Sequence, residues 1–146
     1  MKLNLGCGTD YREGWVNVDR ACPGLPNPPP VDEIVDLDGP WPWADGSADA
    51  IIAYSVFEHL DDVMHAMAEA HRVLKAGGHI RIVGPAQTSV NWCADPTHKR
   101  AFNKLTFDCF DPETALGARA FNFWPKWKVL DRKDLGNDWL FVLEPR

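Results

Sequence analysis

Residues 2–19 restrict the fold more than any other stretch of the chain. Lys2-Leu3-Asn4-Leu5 reads as a short apolar strand and Gly6-Cys7-Gly8 as a glycine turn. After a brief connection, Gly14-Trp15-Val16-Asn17-Val18-Asp19 reads as a second short strand that ends in a carboxylate. Glycines at 6 and 8 let backbone N–H groups approach a ligand that a Cβ would exclude. Free N–H groups in the following turn favour an anionic group such as a carboxylate or phosphate. Asp19 falls where doubly wound sheets grip ribose hydroxyls. The combination reads as a site for a nucleoside with a short anionic tail. A dinucleotide site would want a third glycine at position 11, which is Tyr11, and this counts against NAD or FAD.

The run Leu3-Asn4-Leu5-Gly6-Cys7-Gly8, with Asp19 as the acid after the second strand, resembles motif I of the class I S-adenosylmethionine (SAM) dependent methyltransferases. The likeness continues in order along the chain. Glu33 to Leu37 reads as strand three, with Asp36 near its end in the place of that family's adenine-side acid. Asp45-Gly46-Ser47-Ala48-Asp49 stands where the family carries Asp-x-Ser-Phe-Asp, with Ala48 replacing the usual aromatic. Asp49 to Tyr54 is an apolar run of the kind buried in parallel sheets. Ser55-Val56-Phe57-Glu58-His59-Leu60 follows it, and a Glu-His-Leu triplet is frequent in the family at this place. Arg72-Val73-Leu74-Lys75-Ala76-Gly77-Gly78 matches its helix–Gly-Gly–strand signature. The resemblance, to small type 11-like members, covers residues 2–85 well and the rest loosely. It implies SAM as cofactor and S-adenosylhomocysteine as product. It places Leu5, Gly6, Cys7, Gly8, Asp19, Asp36, Leu37, Ser55 and Glu58 at the cofactor.

The resemblance also implies a doubly wound, Rossmann-like α/β sheet of about seven strands with the last strand antiparallel. The clearest helix spans Asp61 to Ala76, where Val63, Ala66, Met67, Ala70, Val73 and Leu74 make one apolar face. Gly77-Gly78 is expected to stop it before strand five, His79 to Val83. Trp127 to Leu130 and Trp139 to Leu143 read as strands six and seven, joined through Gly136-Asn137-Asp138. Two crossover helices are missing. Cys7 to Gly14 is too short for one. Five prolines between Cys22 and Pro30 rule out the other. Asn27-Pro28-Pro29-Pro30 looks like the Asn-Pro-Pro-aromatic motif of DNA amino-methyltransferases, but it precedes strand three and ends in proline, so it reads as a linker. The expected architecture is therefore a three-layer sandwich with one face reduced. Loops bearing Trp41 and Trp43, or a second subunit in a homodimer, are expected to cover that face.

A chain of 146 residues suits one domain and one core. It divides into a cofactor-binding half (1–85), a substrate and lid insertion (86–125) and a C-terminal hairpin (126–146). The net charge of −6 disfavours a phosphate-backbone footprint, and so disfavours nucleic acid as partner. The sequence has no apolar run long enough to span a membrane and no signal peptide. Cys7, Cys22, Cys93 and Cys109 form no Cys-x-x-Cys pair, which fits a reducing, cytoplasmic setting.

In the resembled fold, the insertion lies above the cofactor's methyl group and selects the substrate. Here it offers Asp95, Thr97 and His98, flanked by Trp92 and Phe102. His98 is the candidate general base, since an imidazole near neutral pKa takes a proton from a hydroxyl or amine. Asp95 is placed to orient it, and Lys99 and Arg100 to bind an anionic substrate. His59 reads as a polar contact near the methionine tail or the substrate. The alternative is a turn and cap at Asp95-Pro96-Thr97 with His98 held structurally. Cys93, Asp95 and His98 have no matching ligands elsewhere, so no metal is expected. Asn103 to Phe110 and Asp111 to Leu116 read as short helices. The function expected is methyl transfer to an oxygen or nitrogen of a small-molecule or sugar-like substrate. The alternatives are other SAM-consuming chemistry, suggested by missing lid helices, and a non-catalytic interaction subunit, suggested by the thin helix layer.

Overall fold

A computed structural model describes residues 1–20, 30–119 and 125–146. Cys22 and most of the expected linker at Asn27-Pro28-Pro29 lie outside the described residues. The strands are β1 (Lys2–Leu5), β2 (Val16–Asp19), β3 (Glu33–Ile34), β4 (Ala48–Tyr54), β5 (Leu74–Pro85), β6 (Trp127–Asp134) and β7 (Asp138–Pro145). They form one sheet in the order β3-β2-β1-β4-β5-β7-β6. The first five run parallel, and β7 is antiparallel to both β5 and β6. The chain steps outward one way from β1 through β2 to β3 and the other way from β4 to β5. Such a reversal opens a crevice beyond the carboxyl ends of the strands.

Register explains which side chains make the core. Leu5 pairs with Val18 and Ala53, Ile51 with Leu3 and Ile80, and Ile82 with Ala53 and Phe141. Side chains alternate faces along a strand, so all of these point one way. They are essentially inaccessible. Helix α1 (Val63–Val73) lays Ala66, Met67, Ala70 and Val73 on this face. Full burial of each large apolar side chain contributes roughly 1.5–3 kcal/mol.

Asp62 caps α1 by accepting the His65 N–H at 2.9 Å. The helix ends at Val73, earlier than expected, because Leu74 already has extended backbone and pairs with Ala48. Register then jumps to Ala50 opposite His79, so Gly77 and Gly78 form a bulge inside β5 rather than a helix stop. Gly77 takes φ +78°, which a side chain would resist. Strand three is shorter than expected, because Gly39 N–H bonds back to Asp36 O at 3.1 Å and turns the chain. The β6–β7 hairpin is longer, and Gly136 at φ +87° makes its turn.

The expected helices at 103–116 are replaced by turns and one 3-10 turn, Asp108–Phe110. The reason is tertiary. Asp108 takes the Arg132 guanidinium at 2.6 Å, and Asp111 takes the Val129 N–H at 2.8 Å with one oxygen while the other accepts the Glu113 N–H at 2.9 Å, so both acids tie this stretch to β6. A short helix α2 (Val90–Ala94), capped by Ser89, was not expected. Phe102 packs with Phe107 and Phe141 and lies against Gly84, where a Cβ would meet its ring at 2.0 Å.

Trp41 and Trp43 are buried, but not on the reduced face. The Arg72 guanidinium of α1 donates to Trp41 O and Trp43 O at 3.1 and 2.7 Å, and Glu69 of α1 accepts the Trp41 N–H at 2.7 Å. This is the α1 side. Right-handed connections put the β1–β2 link on the other side. There Asn4 and Asn17 replace a helix with polar bonds. Asn4 Nδ2 donates to Asp10 O and to Asn17 Oδ1, at 2.7 and 2.9 Å. Asn17 Nδ2 donates to Arg12 O, Trp15 O and Asp32 Oδ2. Among the described residues, no helix is long and apolar enough to cross a membrane.

Candidate active site

A cavity of about 360 Å³ opens where the strand order reverses. This volume lies within the range of small-molecule sites, roughly 300–1,000 Å³. One wall carries Gly6, Asp19, Asp36, Leu37 and Ser55, all expected from the sequence. Gly6 sits at φ +59°, and a Cβ there would fall 2.3 Å from Val56 Cγ2, so only glycine turns the chain at this point. Asp19 Oδ2 accepts the Gly8 N–H and Oδ1 accepts the Arg20 N–H, both at 2.7 Å. The acid thus locks the glycine turn to the end of β2. Among the described residues, Ser55 is the non-glycine residue with positive φ, +56°. That conformation costs roughly 1–2 kcal/mol, and such strain gathers at ligand-facing turns.

Four other expected cofactor residues stand behind this wall. Leu5 is core, with no exposure. Cys7 is buried, its N–H bonded to Val18 O at 2.9 Å, and burial with the Asp19 charge nearby pushes its thiol pKa up. Gly8 acts on Asp19 through its N–H. Glu58 is 1% exposed, and burial pushes its carboxyl up to about 7.

The opposite wall is His59, Asp95 and Thr97. Their segments are 36 or more positions apart in sequence and are stitched together by the backbone. Lys99 N–H donates to Glu58 O at 2.7 Å. The Arg100 guanidinium donates to Phe57 O and Leu60 O, both at 2.6 Å. Lys99 pairs with Asp61. Both cations therefore hold the turn after β4, and neither lines the cavity as substrate binders would. This clamp places the His98 ring 4.7 Å from the His59 ring, edge to face, with Trp92 stacked parallel to His98 at 6.3 Å.

His98 Nδ1 donates to Trp92 O at 3.1 Å, so a carbonyl orients the ring. Asp95 Oδ2 stands on the other side, 3.8 Å from His98 Nε2. Asp95 Oδ1 accepts the Thr97 N–H and hydroxyl at 2.8 and 2.7 Å, which holds its pKa below the usual carboxylate range. Burial first, and then His98, push the His59 pKa down. Arg20, Val35, Asp38, Val56 and Leu60 also line the cavity and were missed from sequence. Asp38 could have been found by its spacing from Asp36. Arg20 could have been found as the neighbour of Asp19, whereas Val35, Val56 and Leu60 are apolar and carry no chemical signal.

With Asp19, Asp36, Asp38 and Asp95 around it against one guanidinium, Arg20, the cavity is net acidic. This suits a nucleoside ligand bearing positive charge, with hydroxyls for Asp19 to bind. The SAM expected from sequence has both features, so the residues present fit it.

Over residues 6–82 the chain matches the family described as methyltransferase domain. No curated protein matches it in sequence. Solved structures share its fold. It is similar to a SAM-dependent methyltransferase from Archaeoglobus fulgidus, with 17% identity, TM-score 0.66, and coverage of 98% of this chain and 85% of that one. A SAM-dependent methyltransferase from Mesorhizobium loti has 15% identity and TM-score 0.64, over 99% and 90% of the two chains. The [4+2]-cyclase SpnF has 14% identity and TM-score 0.65, over 98% and 74%.

Proposed function

The chain belongs to the methyltransferase-domain family, as a SAM-dependent enzyme, and from that premise we propose that it moves a methyl group to an oxygen or nitrogen of a small-molecule or sugar-like acceptor. The observation that carries this reading is the cavity itself. Carboxylates suited to a nucleoside stand on one wall and His59, Asp95 and Thr97 on the other.

When bound, SAM supplies a methyl group already activated by the sulfonium. The remaining work falls to the chain. Asp19 accepts hydrogen bonds from ribose hydroxyls. Asp36 and Leu37 flank the base, and Gly6 and Ser55 give the methionine end close backbone. His59 and Asp95 face the acceptor from the cavity wall, with His98 packed against His59, and this group handles its proton. Residues 1–85 hold the cofactor, 86–125 receive the acceptor, and 126–146 complete the sheet. Positioning two reactants at one site supplies much of the rate in such transfers.

Two further readings belong to the proposal. The free cysteines, with Cys93 exposed, suit a cytoplasmic setting. The face that the β1–β2 link crosses without a helix suits a homodimer, which light scattering tests. A second chemical reading, SAM consumption without methyl transfer, draws on the cyclase that shares this fold. Product analysis after incubation with SAM alone separates the two. The first test is calorimetric titration with SAM and with S-adenosylhomocysteine. Saturable binding of both is expected. Binding of neither refutes the proposal and favours an interaction module.

A further inference from the structure

Three side chains that can ligate a cation converge behind the His59 wall. Glu58, His59 and His98 each bring one ligand atom within 4.8 Å of the others. The hydrogen bonds fix which atom each imidazole has left. Trp92 O is an acceptor only, so His98 Nδ1 carries the hydrogen and Nε2 keeps its lone pair. The Thr97 hydroxyl donates to Asp95, so at 3.0 Å it accepts from His59 Nδ1, and His59 Nε2 also keeps its lone pair. Glu58 is 1% exposed, and its Oε2 has no hydrogen-bond partner among the described residues. A buried carboxyl oxygen without a hydrogen-bond partner, beside two imidazoles, is an orphaned polar group that a bound cation would satisfy.

We propose that Glu58, His59 and His98 form a binding site for a divalent first-row transition cation beside the methyl-acceptor pocket. Two imidazoles and a carboxylate suit Zn²⁺, Co²⁺ or Mn²⁺, whereas Mg²⁺ and Ca²⁺ prefer an all-oxygen set. The outer contacts are those of a built site. Each ligating histidine donates its other N–H to a fixed acceptor, which sets tautomer and orientation. The Lys99–Glu58 backbone bond and the Arg100 clamp hold the two ligand-bearing segments together without any ion. Cys93 takes no part, because its thiol is exposed and turned to Val90 O. A bound cation would occupy both bare nitrogens and, in place of a free imidazole base, would take the acceptor oxygen at its remaining positions. This use of the cation rests on the methyl-transfer reading, but binding of the cation does not.

The test is direct and needs no SAM. Chelator-treated full-length protein is titrated with Co²⁺, followed by visible ligand-field absorption, and then challenged with Zn²⁺ and with Mg²⁺. One equivalent of Co²⁺ is expected to bind with ligand-field bands that Zn²⁺ abolishes and Mg²⁺ does not. Glu58→Gln, which keeps the side chain's shape, and His98→Ala are each expected to abolish the bands. Thr97→Val is expected to weaken affinity about 10–100-fold by releasing His59. Cys93→Ala is expected to leave binding unchanged. Each variant's fold is checked by circular dichroism. Absence of saturable Co²⁺ binding to the wild type overturns the site, as does binding that survives both Glu58→Gln and His98→Ala in folded protein. SAM titration of the same samples reports separately on the cofactor reading.

Discussion

Asp19 is the residue on which the cofactor reading is most exposed to test. Its two oxygens are already engaged by the Gly8 and Arg20 N–H groups at 2.7 Å, so the carboxylate is held in place before any ligand arrives. Each oxygen keeps a lone pair for a ribose hydroxyl. Hydrogen bonds to a charged group contribute roughly 1.5–3 kcal/mol each. Asp19→Asn keeps the shape and one acceptor but loses the charge and the second acceptor. It should therefore weaken SAM binding by about 10–100-fold. Asp19→Ala also strands the Gly8 N–H and frees the glycine turn, a further cost of roughly 1–3 kcal/mol. The combined loss is about 3–5 kcal/mol, or roughly 200- to several-thousand-fold in Kd. Calorimetry with SAM and S-adenosylhomocysteine reads this out, and both should weaken because both carry the ribose. An Asp19→Asn variant that binds both ligands within about threefold of wild type would refute the assignment.

Gly6→Ala should abolish SAM binding and lower the melting temperature, since its Cβ would strike Val56 Cγ2 at 2.3 Å, whereas Gly8→Ala meets no atom within 4 Å and bears only the strain of φ +48°. The order Gly6 over Gly8 in thermal melts checks this. Phe102→Ala removes a ring buried against Phe107, Phe141 and Gly84. It should cost about 3–5 kcal/mol, which at this chain length lowers Tm by about 10 °C in calorimetric scans. Asp49 is held at about 2 by Lys75 and the N-terminal ammonium. Its folded pKa lies below the unfolded value of about 3.9, so its contribution is present above that pH and is lost as pH falls through 2. Asp49→Asn should flatten the acid limb of stability between those values in denaturant titrations at stepped pH.

Much of this site was legible because its features are local. Asp19 ends a strand and Gly6, Ser55 and Asp36 follow one within two residues, and a strand end can be read from a few neighbouring residues. The apolar face of α1 was legible for the same reason. The helix stop was misread because Gly77-Gly78 has the local chemistry of a C-cap. Pairing of Leu74 with Ala48 ends the helix first, and that partner lies 26 positions away. The Trp41–Trp43 loop was assigned to the wrong face because its partner is Arg72, on a helix whose side of the sheet depends on strand order. Lys99 and Arg100 looked like substrate cations, but carbonyls left open in the turn after β4 claim Arg100 and Asp61 claims Lys99.

The sequence alone determined the family, the parallel strands with acids at or near their ends, the glycine turn that brings backbone to a ligand, and the lack of a crossover helix between β1 and β2. Each follows from residue type over a few positions, where backbone conformation and burial pattern are settled. Only the tertiary structure decided that Glu58 and His59 meet His98. Sequence spacing says nothing about rings 39 positions apart, and their approach depends on the Arg100 clamp and on Phe102 seating in the gap over Gly84. The tautomers follow only from that packing, because which nitrogen is bare is set by whichever acceptor the fold brings to the other one.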